Sequence, residues 1–189
     1  PYTAAEIRDA TRAGRTYVFA ITAEGAPPVR STMRFMAVSP DGALIESEKA
    51  DPDGKNARSE PAEQVTWEEL RKHAEFPKAA VTRSEGKIIV PAGELDCFIF
   101  VVKLPDQTMT FHFAKAMPGA PVRMVTEKGG KEVRRMELLS HVAGGPTRAG
   151  AASEARQVAV KTVMKMDGQV NEKALVEALQ PQLAALDPC

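Results

Sequence analysis

The sequence has little of several features that would identify a class of protein at once. It contains only two cysteines, which excludes a small scaffold held by several disulfides and a multi-cysteine zinc site. Its 25 Lys and Arg residues balance 25 Asp and Glu residues, so the cationic excess of a nucleic-acid-binding domain is absent. The longest apolar run, Cys97 to Val102, is far shorter than the roughly 20 residues that cross a bilayer. No glycine-rich phosphate-binding loop is present.

Length and composition are those of an ordinary globular protein. A chain of 189 residues with 43% apolar residues is long enough to bury a core, as one domain or as one domain with an appendage. The chain begins at Pro1 rather than at methionine. A removed export leader explains this start, and a trimmed chain explains it equally well.

Two capping boxes predict two short helices. Thr3 is followed by Glu6, and Thr66 is followed by Glu69, so a hydroxyl and a carboxylate can each satisfy a free backbone N–H at a helix start. The predicted helices cover residues 4–13 and 66–75.

Alternation of apolar and polar residues predicts a sheet-dominated domain over residues 1–142. Tyr17, Phe19 and Ile21 alternate with Val18, Ala20 and Thr22, which is the period of a strand. The Gly129-Gly130 pair between two alternating runs indicates a tight hairpin, because a primed turn needs positive φ. We expect an α+β protein with about eight antiparallel strands in chain order and the short helices on one face. The strands are predicted at 17–22, 29–38, 43–48, 79–90, 94–104, 107–115, 121–127 and 131–141.

Other segments lack the pattern of a sheet. Residues 49–64 are charged and rich in turn formers, which predicts a solvated loop. Within it, Asp51 and Asp53 are not followed by the later ligands of a calcium-binding loop. Residues 143–153 are small and nearly uncharged, which predicts a linker. Residues 154–189 carry apolar residues at helical spacing, so we predict a C-terminal helical hairpin that docks on the sheet or on a partner.

Several turns and strand starts resemble a known family. The run VPAGELDC at 90–97 resembles an element of bacterial exported proteins, in which a kink precedes an acidic residue and a cysteine opening an apolar strand. Residues 111–115 and 118–124 resemble their next element, and 136–139 their return strand. These elements are similar to the lipoprotein-carrier superfamily of the bacterial envelope, the LolA-like fold, over about residues 16–141.

That resemblance implies both an architecture and a location. Its members are curved antiparallel half-barrels with helices over the concave face. It implies a periplasmic or cell-envelope location for an exported chain whose leader is removed. It also implies an apolar cavity for lipid or acyl chains and no catalytic residues.

Five large apolar residues in two neighbouring predicted strands are the candidate ligand-binding residues. Phenylalanine and methionine fill cores by default, and they line a cavity if the sheet is an open half-barrel. Alternate residues of a strand point to the same face of a sheet, so the five residues fall into two sets, one from each strand. The pattern leaves open whether each set faces inward. The first set is Phe98 and Phe100, and the second is Met109, Phe111 and Phe113.

We expect no enzyme, no metal site and no cofactor. The three histidines, His73, His112 and His141, have no spacing typical of metal ligands. Cys97 lies in an apolar strand, which predicts a buried thiol and disfavours a reactive thiolate. Cys189 could pair with Cys97 or with another chain.

Two functions stay open at this point. The first is a non-enzymatic envelope protein that binds or sequesters an apolar ligand, a lipid or an acyl chain. The second is a structural or interaction module of an envelope or surface assembly. Such a module would engage a protein partner or another copy through its sheet edges or C-terminal helices. Neither function involves nucleic acid or a transmembrane segment.

Overall fold

A computed structural model of the protein describes residues 1–145. This part of the chain contains two short α-helices, one 3₁₀ turn and ten strands in one antiparallel sheet. The predicted helical hairpin over 154–189, Cys189 and all but the first three residues of the predicted linker over 143–153 lie outside the described residues. The helices are α1 (Ala4–Ala10) and α2 (Trp67–Lys72), and the 3₁₀ turn is Lys78–Ala80. The strands are β1 (Thr16–Ala23), β2 (Ala26–Val38), β3 (Gly42–Ala50), β4 (Arg58–Ser59), β5 (Glu63–Thr66), β6 (Val81–Val90), β7 (Gly93–Lys103), β8 (Thr108–Ala114), β9 (Arg123–Lys128) and β10 (Lys131–Val142).

The fold class predicted from the sequence is confirmed. The sheet is open, curved and antiparallel, and its strand order is β4-β3-β2-β1-β10-β9-β8-β7-β6, with β5 also paired to β3. The prediction of strands in chain order is wrong at one junction, because β1 pairs with β10, from Thr16 opposite Val142 to Ala23 opposite Arg134. The period of two identifies a strand, but it carries no information about a partner so distant in sequence.

The prediction of one long solvated loop at residues 49–64 is wrong in part. Within it β4 pairs with β3, and β5, which begins at Glu63, pairs with β3 as well. An ion pair of 2.7 Å between Lys49 Nζ and Glu60 Oε1 accompanies this pairing. Edge strands this short are held by backbone hydrogen bonds, so the segment needs no large apolar side chains to form them. The sheet therefore has ten strands rather than about eight.

Both predicted capping boxes form. Thr3 Oγ1 accepts a hydrogen bond of 3.2 Å from the N–H of Glu6, and the N–H of Thr3 donates to the Glu6 carboxylate at 2.7 Å. The box at α2 has the same geometry. The helices end earlier than predicted, at Ala10 and Lys72. In α1 the backbone of Thr11 is already extended, and its hydroxyl donates back to a carbonyl of the helix.

The helices cover one face of the sheet, here called the inner face. Ile7 of α1 and Trp67 of α2 belong to one buried cluster with Phe19, Phe113 and Leu138 of the sheet. Burying a side chain of this size stabilises the fold by about 1.5–3 kcal/mol, so this cluster fixes the helices on the sheet. No helix among residues 1–145 is both long and apolar enough to cross a membrane.

Candidate functional site

A row of apolar side chains crosses the inner face from β7 to β2. Residues directly opposite each other on neighbouring antiparallel strands project to the same face of a sheet. The strand pairings therefore align six residues from six strands on the inner face, where Phe100 is buried and the other five are half-buried. This apolar row consists, in register order, of Phe100, Phe111, Met124, Met136, Ile21 and Val29.

The outer face beside the apolar row is polar. One residue further along each strand, His112 lies opposite Arg123, and Arg123 lies opposite Glu137. The Arg123 guanidinium contacts the Glu137 carboxylate at 2.7 Å. At this level of β8, β9 and β10 the outer face is polar and the inner face is apolar, which makes the inner face the candidate surface for an apolar ligand.

All five residues predicted from the sequence lie on the inner face. Phe98 is opposite Phe113, Phe100 is opposite Phe111, and Met109 is opposite Val102. The structure thereby brings the two sets together and fixes the parity that the sequence left open. Phe100 and Phe113 are buried in the core, whereas the other three are half-buried. Their role in binding a ligand stays a prediction.

Two aromatic side chains from outside the strands pack on these residues. The Tyr2 ring meets the Phe113 ring edge-on, with centroids 6.0 Å apart. The Phe76 ring lies 4.8 Å from that of Phe111 and 5.7 Å from that of Phe100. Sequence reasoning missed these covering residues, because neither lies in a periodic segment. The β7–β8 part of the inner face is therefore covered by the chain itself.

A buried arginine lies where β1 meets β10. Arg15 is only 2% exposed. Its guanidinium donates to the Pro118 carbonyl at 2.8 Å, to Thr11 Oγ1 at 3.1 Å and to His141 Nε2 at 3.2 Å, and it lies 4.9 Å from the centroid of the Tyr17 ring. Among residues 1–145 it forms no ion pair with a carboxylate. Sequence reasoning missed this residue, since an arginine at a strand start carries no sign of burial.

A groove of about 410 Å³ lies beside this buried arginine. One wall is the tip of the β6–β7 hairpin, which reaches β10 because the N–H of Ala92 donates to the Leu138 carbonyl at 3.2 Å. The lining is apolar except at the end of β10, where Ser140 and His141 contribute. The full lining is Pro91, Ala92, Leu95, Met117, Leu138, Leu139, Ser140 and His141.

A second groove of about 490 Å³ lies between α1, the turn after β2 and the start of α2. Arg8 and Arg12 line it on one side, and Val38, Pro40 and Trp67 line it on the other. The five residues predicted from the sequence line neither groove. Surface recesses and the predicted inner-face residues are thus different parts of the described chain.

The described residues offer few reactive groups. Cys97 is fully buried, as predicted, and burial raises the pKa of its thiol, which disfavours the thiolate. No group of three or more His, Cys, Asp or Glu suited to a metal ion occurs between residues 1 and 145. The arrangement therefore provides apolar surface and hydrogen-bond donors.

Two histidines are expected to make the fold sensitive to mild acid. Burial, and then the charge of Arg123, lowers the pKa of His112, and burial followed by the charge of Arg15 lowers the pKa of His141. The unfolded chain therefore binds more protons near pH 6 than the folded chain does. The stabilisation is fully present above the unfolded pKa of about 6.5 and is lost as the pH falls towards the lower folded-state values.

Urea unfolding at pH 7.5, 6.5 and 5.5 would measure this effect. We expect the free energy of unfolding to decrease as the pH is lowered from 7.5 to 5.5. The decrease should be smaller in the variant that carries both His112→Gln and His141→Gln. An identical pH dependence in the variant and the parent protein would contradict the assignment.

The fold defines a class of open, curved antiparallel sheets with short helices packed on one face. Among solved structures, the chain is similar to MucB, which has a LolA-like fold, with 12% sequence identity and a TM-score of 0.50. The match covers 77% of this chain but 59% of MucB, so the chain spans less than two thirds of that protein. The likeness supports the LolA-like architecture expected from the sequence, and it concerns the fold alone.

Two other solved structures are similar at a lower level. One is named as an exported protein with a YmcC-like fold from Bacteroides fragilis, with 10% identity and a TM-score of 0.43 over 70% of this chain and 97% of that one. The other is named as a lipoprotein from Parabacteroides distasonis, with 11% identity and a TM-score of 0.41 over 70% and 96%. No family model and no curated protein matches the sequence.

Proposed function

We propose that this protein is a non-enzymatic protein of the bacterial envelope that holds an apolar ligand, a lipid or an acyl chain, on its inner face. The observation that carries the proposal is the apolar row, most of which stays half-buried beside the core. The resemblance of the sequence to LolA-like proteins supports the exported, envelope location.

The dimensions of the apolar row suit an extended chain. Phe76 covers the end of the row at Phe100 and Phe111. Neighbouring strands lie about 4.8 Å apart, so the remaining four strands, β9, β10, β1 and β2, present a row about 14 Å long. Each CH₂ group that leaves water for such a surface contributes about 0.8 kcal/mol. Met124 and Met136 lie in the middle of the row, and the flexible thioether of methionine adapts to irregular ligands. The row therefore suits sequestration of an alkyl chain better than recognition of a rigid molecule.

A charge placed in the apolar row is expected to abolish lipid binding. Met124→Glu puts a carboxylate between Phe111 and Met136, where an acyl chain would have to desolvate it. Val125→Glu is the matched control, since the same charge one residue later lies on the outer face opposite Arg135. We expect native mass spectrometry of protein purified from its own host to find bound phospholipid in the parent and in Val125→Glu, but not in Met124→Glu. Equal occupancy in both variants would place the ligand elsewhere.

The same measurement separates a second candidate function. Among the described strands, β6 pairs only with β7, so the other edge of this ten-residue strand has no strand partner, and on it the Ile89 carbonyl accepts a hydrogen bond from the Arg123 guanidinium. Such an edge favours an interaction module in which a partner or another copy adds a strand. A lipid species at defined stoichiometry, identified after denaturing extraction, would support the ligand-binding function. A protein that is purified as an oligomer without bound lipid would favour the interaction module.

A further inference from the structure

The groove at the hairpin tip combines an apolar wall with one polar end. Leu95, Met117 and Leu139 are half-buried and give it the surface that an alkyl chain would bury, and His141 completes the lining at the end of β10. It is separate from the apolar row, because only Leu138 lies near that row and no member of the row lines the groove. A ligand here would therefore need both an apolar tail and a polar head.

The polar end of the groove presents a hydrogen-bond donor. Nε2 of His141 accepts a hydrogen bond of 3.2 Å from Nε of Arg15, so the neutral imidazole carries its proton on Nδ1. Within residues 1–145, Nδ1 of His141 has no hydrogen-bond partner. Because His141 is half-buried and this Nδ1 is not a buried atom, water reaches it in the free protein, and a hydrogen-bond acceptor on a ligand would replace that water.

The buried charge of Arg15, next to His141, determines which kind of hydrogen-bond acceptor binds best at this end of the groove. The Arg15 guanidinium donates to His141 and to the Pro118 carbonyl, and the residue next to Pro118, Met117, lines the groove. Arg15 is 2% exposed, and no carboxylate in the described part of the chain pairs with it. A buried cation keeps much of its field, because little water screens it. The groove is therefore complementary to an anion.

We propose that this groove binds a carboxylate-bearing alkyl chain, with the carboxylate at His141 and the tail along Leu95 and Met117. The carboxylate accepts the hydrogen bond from Nδ1 of His141, and the buried charge of Arg15 strengthens it, since hydrogen bonds to ionised groups are the stronger ones. This binding site is independent of the lipid-binding function proposed for the inner face.

Two probes of equal chain length and opposite charge test the charge preference. Isothermal titration with dodecanoate and with dodecyltrimethylammonium, each below its critical micelle concentration, would compare their affinities. We expect dodecanoate to bind at least tenfold more tightly. Only three histidines occur in the chain, so their imidazole NMR signals can be followed in the same titration. We expect saturable shifts at His141 and none at His73 or His112.

Two exposed residues of the same hairpin provide a matched pair of variants. Ala92→Glu places a carboxylate in the groove lining and should weaken dodecanoate binding at least tenfold. Ile89→Glu adds the same charge to a side chain that is 72% exposed and outside the groove, so its affinity should stay within twofold of the parent. Both variants change exposed positions, and thermal unfolding checks that they fold.

Several outcomes would overturn the proposal. Equal affinity for the two probes, unmoved His141 signals, or equal effects of the two hairpin variants would each do so. Loss of dodecanoate binding in Met124→Glu together with full binding in Ala92→Glu would mean that dodecanoate binds to the inner face instead. Failure of the inner-face function would leave the His141 shifts unchanged, so the two proposals fail separately.

Discussion

Replacing Phe113 by alanine is expected to lower the free energy of unfolding by about 3–5 kcal/mol. Phe113 is 2% exposed, and its ring packs against those of Tyr2, Phe100 and Phe111 at centroid distances of 6.0, 5.8 and 6.3 Å. Its removal leaves a cavity where the helix-covered core meets the apolar row. Urea unfolding followed by circular dichroism would measure the loss.

Phe98→Ala is the matched comparison, on the same face and directly opposite Phe113. Phe98 is half-buried, and the Arg83 guanidinium lies 4.6 Å from its ring centroid. Because water already reaches part of this ring, we expect a loss of less than about 2 kcal/mol. Equal losses in the two variants would mean that Phe113 does not have the central place in the core that its burial indicates.

Replacing Gly42 by alanine is expected to lower the free energy of unfolding by about 3 kcal/mol, because the added methyl group would be packed too closely against backbone atoms. A Cβ atom at this position would lie 2.1 Å from the Val65 carbonyl oxygen and 3.0 Å from the Cα of Thr66. Backbone atoms cannot rotate away, so the β3–β5 pairing must open. Thr66 is also the N-cap of α2, and its displacement would loosen Trp67 in the core.

Gly145→Ala serves as the control for this substitution. No atom of the described residues 1–145 lies within 4 Å of a Cβ built at Gly145, and its backbone is outside the left-handed region. We expect a change within about 0.5 kcal/mol in thermal or urea unfolding. A Gly42→Ala protein as stable as the Gly145→Ala protein would mean that β5 does not pack against β3 as described.

The sequence was informative wherever local chemistry determines the structure. Both capping boxes form at Thr3 and Thr66, because their hydrogen bonds lie within one helical turn. The Gly129-Gly130 turn joins β9 to β10 with φ values of +56° and +79°, since glycine adopts such values without steric cost. In the same way, period-two alternation placed the main strands to within a few residues.

The remaining features depend on contacts between distant residues. β1 pairs with β10, but the sequence of each strand would have the same period of two beside any other neighbour. The placement of Phe98 and Phe113 on one face follows from the β7–β8 register, which the separate patterns of the two strands left open. The burial of Arg15 depends on acceptors more than 100 residues away, at Pro118 and His141. Two of the six members of the apolar row, Phe100 and Phe111, were thus predictable from the sequence, but the geometry of the row was not.

The pairing of β1 with β10 also has a consequence for how fast the chain folds. Strands β1 to β5 and strands β6 to β10 each pair among themselves over short stretches of sequence, so their loops close at little entropic cost. Only the β1–β10 pairing joins the two ends of the described chain, from Thr16 opposite Val142 onwards. Non-local pairings of this kind slow folding. We therefore expect the joining of two preformed half-sheets along this single seam to limit the rate, and mutations there to affect refolding more than mutations within either half.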